Sequence, residues 1–525
     1  MKMVKSLVLG SAAGLLAVGG AQAADLPIKA KPVEYVKICS LYGAGFFYIP
    51  GTDTCIKLGG YLRVDTTFNG SIYGQPAWSA DLGTGNRYRD DFASRSRMAL
   101  TVDTRTATEY GVVRTFGQAD FQFTTFNNNN VNPLTLGTTP TATGVFNLPG
   151  EGYTAVEYVF IQFAGFTFGK SSSAYATPWN GYPGNNTSFL IGGNDSVTGV
   201  NNIQYTAQFG NGVSGTIGLD EPVAFNRTSV FNLSAGVTGG ISSVGAVGAA
   251  GTSGNAYGGQ HMPDVVGNIR IDQAWGLFQV SAAVHEVDGS YNLLGPGAIP
   301  LIGSDTSGHP TTKYGGSVMA AFQVKNIPTG AGDDIKFDTT WAKGDTKNVI
   351  STSAPSPNFL MLGGVPGQFG PANSIAFGAT TDGTYLPIAA GGDGTMHLTS
   401  AYGVRGAFNH NWDPYWSSSL FGGMGWVRYD ATQRANFCSA ISATIPGQNV
   451  TYSCNPNYAI SMLGVVTRWT PVNNLTFSAE AIWTHLTTGF TGSSTFSPGA
   501  PFAVTPLAFK AQDTASLEVR VQRNF

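Results

Sequence analysis

Apolar and polar residues alternate with a period of two along most of this chain. Counting back from the C-terminus, Phe525, Arg523, Val521, Val519, Leu517 and Ala515 interleave with Asn524, Gln522, Arg520, Glu518, Ser516 and Thr514. That period places one set on each face of a β-strand. Ile203, Tyr205, Ala207 and Phe209 stand likewise against Asn202, Gln204, Thr206 and Gln208. Leu475, Phe477, Ala479 and Ala481 oppose Thr476, Ser478 and Glu480. Ile335, Phe337 and Trp341 oppose Lys336, Asp338 and Thr340, and Ile56, Leu58, Leu62 and Val64 oppose Lys57, Arg63 and Asp65. Beyond Ala23 no segment carries a convincing helical period.

The connections alternate between two lengths. Short ones fall at 107–109, 164–165, 210–212, 274–276, 326–333, 413–415 and 471–474. Long ones, rich in Gly, Asn, Pro, Ser and Thr, fall at 70–90, 127–152, 171–196, 222–261, 289–312, 345–397, 431–456 and 489–510. Every strand therefore has a short end and a long end. The segments between them number about 16, an even count within the range of closed membrane barrels. The expected fold is all-β: a 16-stranded antiparallel transmembrane β-barrel with short periplasmic turns and long extracellular loops. A first strand near 55–69 and a last near 511–525 would both have periplasmic ends at the chain termini. Trp275, Trp412, Tyr415, Trp416, Trp469 and Phe525 gather at short turns, where an interfacial belt holds amphipathic rings.

Composition supports lipid contact. The chain of 525 residues is 42% hydrophobic but only 11% charged, against about 25% charge in ordinary soluble domains. A soluble sandwich or secreted lectin would shield its edges with charge, and no solenoid repeat is apparent. A net charge of −3 argues against a nucleic-acid partner. Lys2 and Lys5 precede an apolar stretch ending in Ala21-Gln22-Ala23, which reads as a signal peptide over residues 1–23. Residues 24–54 then form an N-terminal segment on the periplasmic or plug side, and 55–525 the barrel.

The four cysteines of an exported chain are expected to be oxidised. Of three possible pairings, Cys39 with Cys55 and Cys438 with Cys454 close the shortest loops and are preferred. No Cys-x-x-Cys or nearby His supports zinc, and no loop has the dense acidic spacing of a calcium site. Catalytic motifs fail on spacing. Gly165 to Ser171 has three residues between its glycines where a phosphate loop needs four, and His285-Glu286 lacks a second His. There is no Gly-x-Ser-x-Gly elbow. A Ser/His pair using His485 or His410 has no diagnostic spacing. No cofactor and no catalysis are expected.

At this strand number the interior holds water. Gln118, Asp120, Gln122 and Thr124, and likewise Asn268, Arg270 and Asp272, supply polar inward faces. The expected pore-lining set is Lys57, Arg63, Arg95, Arg97, Arg114, Asp120, Asp195, Arg405, Arg428 and Arg520. With Asp65, Asp103, Glu480 and Glu518 nearby, charges of both signs should partly cancel. The 171–196 connection, third among the long ones, is the candidate for a loop folded into the lumen. Its sole acid is Asp195, and Trp179, Tyr182 and Phe189 would pack it against the wall.

Specific segments are familiar. Ala24-Asp25-Leu26-Pro27, 33–39 (VEYVKIC), 42–55 (YGAGFFYIPGTDTC), 59–63 (GGYLR) and 160–171 (FIQFAGFTFGKS) closely resemble the porins of alphaproteobacteria such as rhizobia and Brucella. Phe525 resembles their C-terminal assembly signal. The resemblance implies a homotrimer of diffusion barrels for small hydrophilic solutes and ions. It also implies contact with outer-membrane lipid, lipopolysaccharide and the assembly machinery, and a third loop narrowing each lumen. Trimer contacts would come from early strands. Val159, Ile161 and Phe163 on one parity, with Tyr158 and Phe160 on the other, suggest a strand apolar on both faces for that purpose. The alternative is a substrate-specific channel or an adhesin acting through its long loops.

Overall fold

The computed structural model describes residues 37–71, 73, 91–124, 151–179, 181, 184–188, 190–195, 198–222, 227–234, 255–295, 298–350, 359–444, 451–496, 503 and 505–525. The signal segment and residues Tyr182 and Phe189 lie outside them. Two compact units divide at Lys57/Leu58. In the N-terminal unit a 3-10 turn over Ser40–Tyr42 leads to the strand Phe47–Tyr48, which pairs antiparallel with Cys55 and Ile56. The Cys39–Cys55 disulfide joins a cluster with Phe46, flanked by Tyr42 and Tyr48.

The other unit is a closed antiparallel barrel of 16 strands. These are β1 (Thr54–Phe68), β2 (Phe92–Thr108), β3 (Gly111–Thr124), β4 (Glu151–Phe163), β5 (Phe166–Ser171) and β6 (Val200–Gly210). There follow β7 (Val213–Asp220), β8 (Asp264–Asp272), β9 (Gly276–Val287), β10 (Lys313–Lys325) and β11 (Asp334–Lys343). The last are β12 (Ser400–Asn411), β13 (Trp416–Arg428), β14 (Tyr458–Val472), β15 (Leu475–Thr488) and β16 (Gln512–Asn524). Sequence neighbours pair, and β1 closes on β16 with Tyr61 opposite Asn524 and Phe68 opposite Leu517.

The two parities separate as closure requires. On β1, Leu62 and Val64 are 52% and 53% exposed while Asp65 is fully buried. An apolar exterior on strands closed into a barrel is what lipid demands, because closure of the last strand on the first leaves the backbone paired around the ring. Tight turns fit the right-handed twist through positive φ at both central residues. Ala164 and Gly165 have φ of 49° and 85°, and Asn211 and Gly212 51° and 72°. Trp416 and Trp469 stack at 5.8 Å by the short turns.

The long connections also fold. Strands Phe359–Leu362, Ser374–Gly378, Thr451–Ser453, Thr491–Phe496 and Thr505–Phe509 make a five-stranded sheet. Its apolar cluster includes Phe377, Phe437, Phe490 and Phe509. Helix α1 (Ala431–Thr444) contributes Phe437, and the Cys438–Cys454 disulfide ties it to the sheet's edge. The barrel is all-β as expected, and this helix lies in a connection where no helical period predicts one. It is not amphipathic, so periodicity misses it. Its start is nonetheless a capping box: Asp430 Oδ1 accepts from the Gln433 amide at 2.8 Å, and Gln433 Oε1 from the Asp430 amide at 3.0 Å. Both disulfides have the expected pairing.

Candidate functional site

The inward face of β1, β2, β3 and β16 carries guanidiniums at alternate positions, and cross-strand register sets their partners. Asp65 lies opposite Arg520. Its carboxylate binds Arg520 on one side and Arg95 at 2.5 Å on the other. Arg520 also bonds Glu518 at 2.8 Å, and Arg63 donates to Gln522 Oε1 at 2.8 Å. Arg97 bonds Asp120 at 2.6 Å and stands 3.5 Å from Glu157. Nearer the short turns, Arg114 and Arg105 share Asp103 at 3.0 and 3.1 Å. Asp65 and Asp103 are thus each bracketed by two guanidiniums.

The connection 172–199 lies against the inward faces of other strands. The Ala174 and Ala176 carbonyls accept from Asn268 and Gln279 at 2.6 and 2.8 Å. Trp179 packs beside the cluster of Tyr175, Val266 and Met319. Leu190 and Ile191 join Val349, Ile350, Met462 and Ile482. Gly193 bridges Ile350 of the 344–399 connection. Asp195 binds Arg405 at 2.6 Å, and Arg405 also binds Asp338 at 3.1 Å. Glu480 on β15 accepts the amides of Asn186 and Thr187. Gly403 and Gly423 let this backbone touch the wall, because a Cβ on either would collide with the carbonyl of Gly192 or Ile191.

Outside the strands, Asp345 accepts from Ser317 Oγ at 2.6 Å and from Asn348 at 2.7 Å, and burial pushes its carboxyl up to about 7. The neighbouring Lys347 is pushed down to about 7, also chiefly by burial.

The expected set therefore divides. Arg63, Arg95, Arg97, Arg114, Asp120 and Arg520 share one stretch of wall. Arg405 and Asp195 meet where the loop is anchored. Lys57 belongs to the N-terminal unit, its ammonium 5.9 Å from the Phe46 ring. Arg428 is a correction, because it points outward. Its neighbour Val427 is fully buried in the loop cluster, and the Arg428 guanidinium donates to the Val427 and Tyr458 carbonyls. At that end of β13 loops fill the interior, so the inward parity is apolar there, and Arg428 continues the outward parity of Met424 and Trp426. Tyr458, Ile460, Met462 and Val466 on β14 face inward for the same reason.

Of the strand that is apolar on both parities, Val159 and Ile161 face outward, and Tyr158 and Phe160 face inward, where Phe160 stacks on Phe116 at 5.3 Å. Parity would have found Arg105 beside Arg95 and Arg97. It could not find Glu157, which a bulge adds to the inner face between the pairs Gln118–Tyr158 and Ala119–Val156.

The discarded catalytic motifs have structural roles. Gly165 is a turn residue, and 166–171 is strand β5. Buried His285 bonds Asp264 at 2.6 Å and the Tyr257 hydroxyl at 2.9 Å. His410 and His485 each bond an aspartate through Nδ1, Asp333 at 2.6 Å and Asp513 at 2.8 Å. Among the described residues no group of three or more His, Cys, Asp or Glu could hold a metal.

The Porin subfamily model matches residues 25–513. Porin Omp2b of Brucella suis biovar 1 is 34% identical over 280 residues, which cover 52% of this chain and 63% of that protein. Porin Omp2b of Brucella canis is also 34% identical over 280 residues, with the same coverage. The chain thus spans less than two thirds of these curated relatives. Among solved structures, the outer membrane channel DcaP of Acinetobacter baumannii superposes with a TM-score of 0.52 at 13% identity, over 91% of this chain and 99% of that one, a likeness of fold. The alternating strands, the closed barrel and the extent of the family match agree: this chain belongs to the porin subfamily.

Proposed function

We propose that this protein is a passive diffusion channel of the bacterial outer membrane, passing small hydrophilic solutes and ions. The observation that carries the reading is the charged inward face of β1, β2, β3 and β16, with the 172–199 connection bonded to other parts of the wall. A wall of paired charges gives the path a polar face of mixed sign, and its carboxylates hold the guanidiniums in place. Arg63, Arg95, Arg97, Arg114, Asp120 and Arg520 line the path, while Asp195 and Arg405 fix the constriction loop. Family membership points to a channel rather than an enzyme.

In this reading short turns face the periplasm and long connections the exterior. The signal peptide is removed, Phe525 serves assembly, and three copies associate through outward apolar residues of early strands such as Val159 and Ile161. Lipid and lipopolysaccharide surround the trimer. The test is single-channel conductance of unheated protein in a planar bilayer under a salt gradient. Steps in groups of three that scale with bulk salt are expected. Small saturating steps, or none, would overturn the reading and favour a plugged barrel or a loop-borne adhesin.

A further inference from the structure

Large apolar side chains on the inner wall are generally covered. Val266 and Met319 are buried under Tyr175, and Phe421, Met462 and Ile482 under Leu190, Ile191 and their neighbours. Phe116 and Phe160 differ. Phe116 shares its parity with Arg114, Gln118 and Asp120, and stands directly opposite Phe160. Both rings are half-buried and belong to none of the buried apolar clusters among the described residues. Leaving two such rings uncovered on a water-lined wall forfeits the gain of burying them, so packing alone gives no reason for them.

Their surroundings are specific. The rings lie 5.3 Å apart at 26°, and Tyr158 meets Phe116 edge-on at 6.5 Å. The Arg114 guanidinium sits 5.3 and 5.5 Å from the Phe116 and Phe160 centroids. It donates to Asp103 and, through Nη1, to the neutral amide oxygen of Gln162 at 2.9 Å. An incoming carboxylate can replace that neutral acceptor and gain a charge-assisted bond. On the inward faces of β1 to β4, Arg63, Arg95, Arg97, Arg105 and Arg114 stand among the carboxylates of Asp65, Asp103, Asp120 and Glu157. The patch therefore offers an apolar ring face beside a cation with an exchangeable partner.

We propose that Phe116, Phe160 and Tyr158, together with Arg114, form a transient binding subsite in the lumen for solutes that join a flat apolar ring to a carboxylate. This rests on the pore reading and adds a solute class to it. Ring stacking supplies the residence and the guanidinium the orientation.

The test uses full-length protein in planar bilayers, with benzoate as probe and acetate as control at equal concentration. Benzoate should produce current interruptions whose frequency rises with concentration, and acetate should not. Phe116→Ala and Phe160→Ala should shorten them about tenfold, Phe160→Tyr should retain them, and Arg114→Gln should weaken block by benzoate but not by phenol. If an alanine variant fails to insert, Phe116→Leu keeps bulk without a π-face and gives the same readout. Normal conductance steps with benzoate indistinguishable from acetate, or with alanine variants unchanged, would overturn the subsite. Absence of any steps would overturn the pore itself.

Discussion

Arg405 Nη1 lies 2.6 Å from Asp195 Oδ2, which bonds the 172–199 connection to the guanidinium of β12. The same guanidinium holds Asp338, and both Arg405 and Asp338 are shut off from solvent. Removing Arg405 strands two carboxylates. Arg405→Met should destabilise the loop by about 3–5 kcal/mol, the usual cost of breaking a buried pair, and should give larger, noisier channel currents. Asp195→Asn should do the same more weakly. Unchanged conductance and noise in both variants would show that this pair does not hold the constriction.

Gly423 provides a steric test of the same loop. A Cβ there meets the Ile191 carbonyl, whereas a Cβ on Gly406 meets nothing closer than 3.7 Å. Gly423→Leu should expel the loop, raise conductance and lower the melting temperature. Gly406→Ala should match the wild type in both.

Asp65 is the shared anion of Arg95 and Arg520. Asp65→Asn leaves those cations without their common counterion, so the reversal potential under a salt gradient should move toward anion selectivity. A shift toward cations would mean that these guanidiniums do not dominate the field of the path.

The Cys438–Cys454 bridge spans 16 residues. Loop-closure entropy for that length is worth about 3 kcal/mol. Cys438→Ser with Cys454→Ser should therefore speed hydrogen exchange across 431–457 while leaving the barrel strands unchanged.

The Asp345 carboxyl is held up at about 7, chiefly by burial. Its protonated form is favoured in the folded loop, so this stabilisation is complete below the ordinary carboxylate range and is lost as pH rises through about 7. Proteolysis of the 344–399 connection should accelerate over that interval, and Asp345→Asn should flatten the response. An identical pH profile in the variant would assign the effect to other groups.

The barrel was legible in the sequence because alternation is a local property. A strand with lipid on one side and water on the other writes that boundary into every second residue, and Leu62, Val64 and Asp65 report it without reference to any other strand. Turn residues added the connections in the same way. Non-local choices were not written locally. Arg428 reads as a pore residue only if its apolar neighbour Val427 faces lipid, and Val427 instead packs inward against the loops. The sequence shows β4 apolar on both parities, but not which of them faces in; the pairing of Phe160 with Phe116 decides it. Glu157 faces inward through a bulge, and α1 exists through a cap, a disulfide and packing rather than an amphipathic period. Sequence by itself determined which barrel strands form and that they close. Only the tertiary structure decided what each inward position meets, because that depends on where distant loops come to rest.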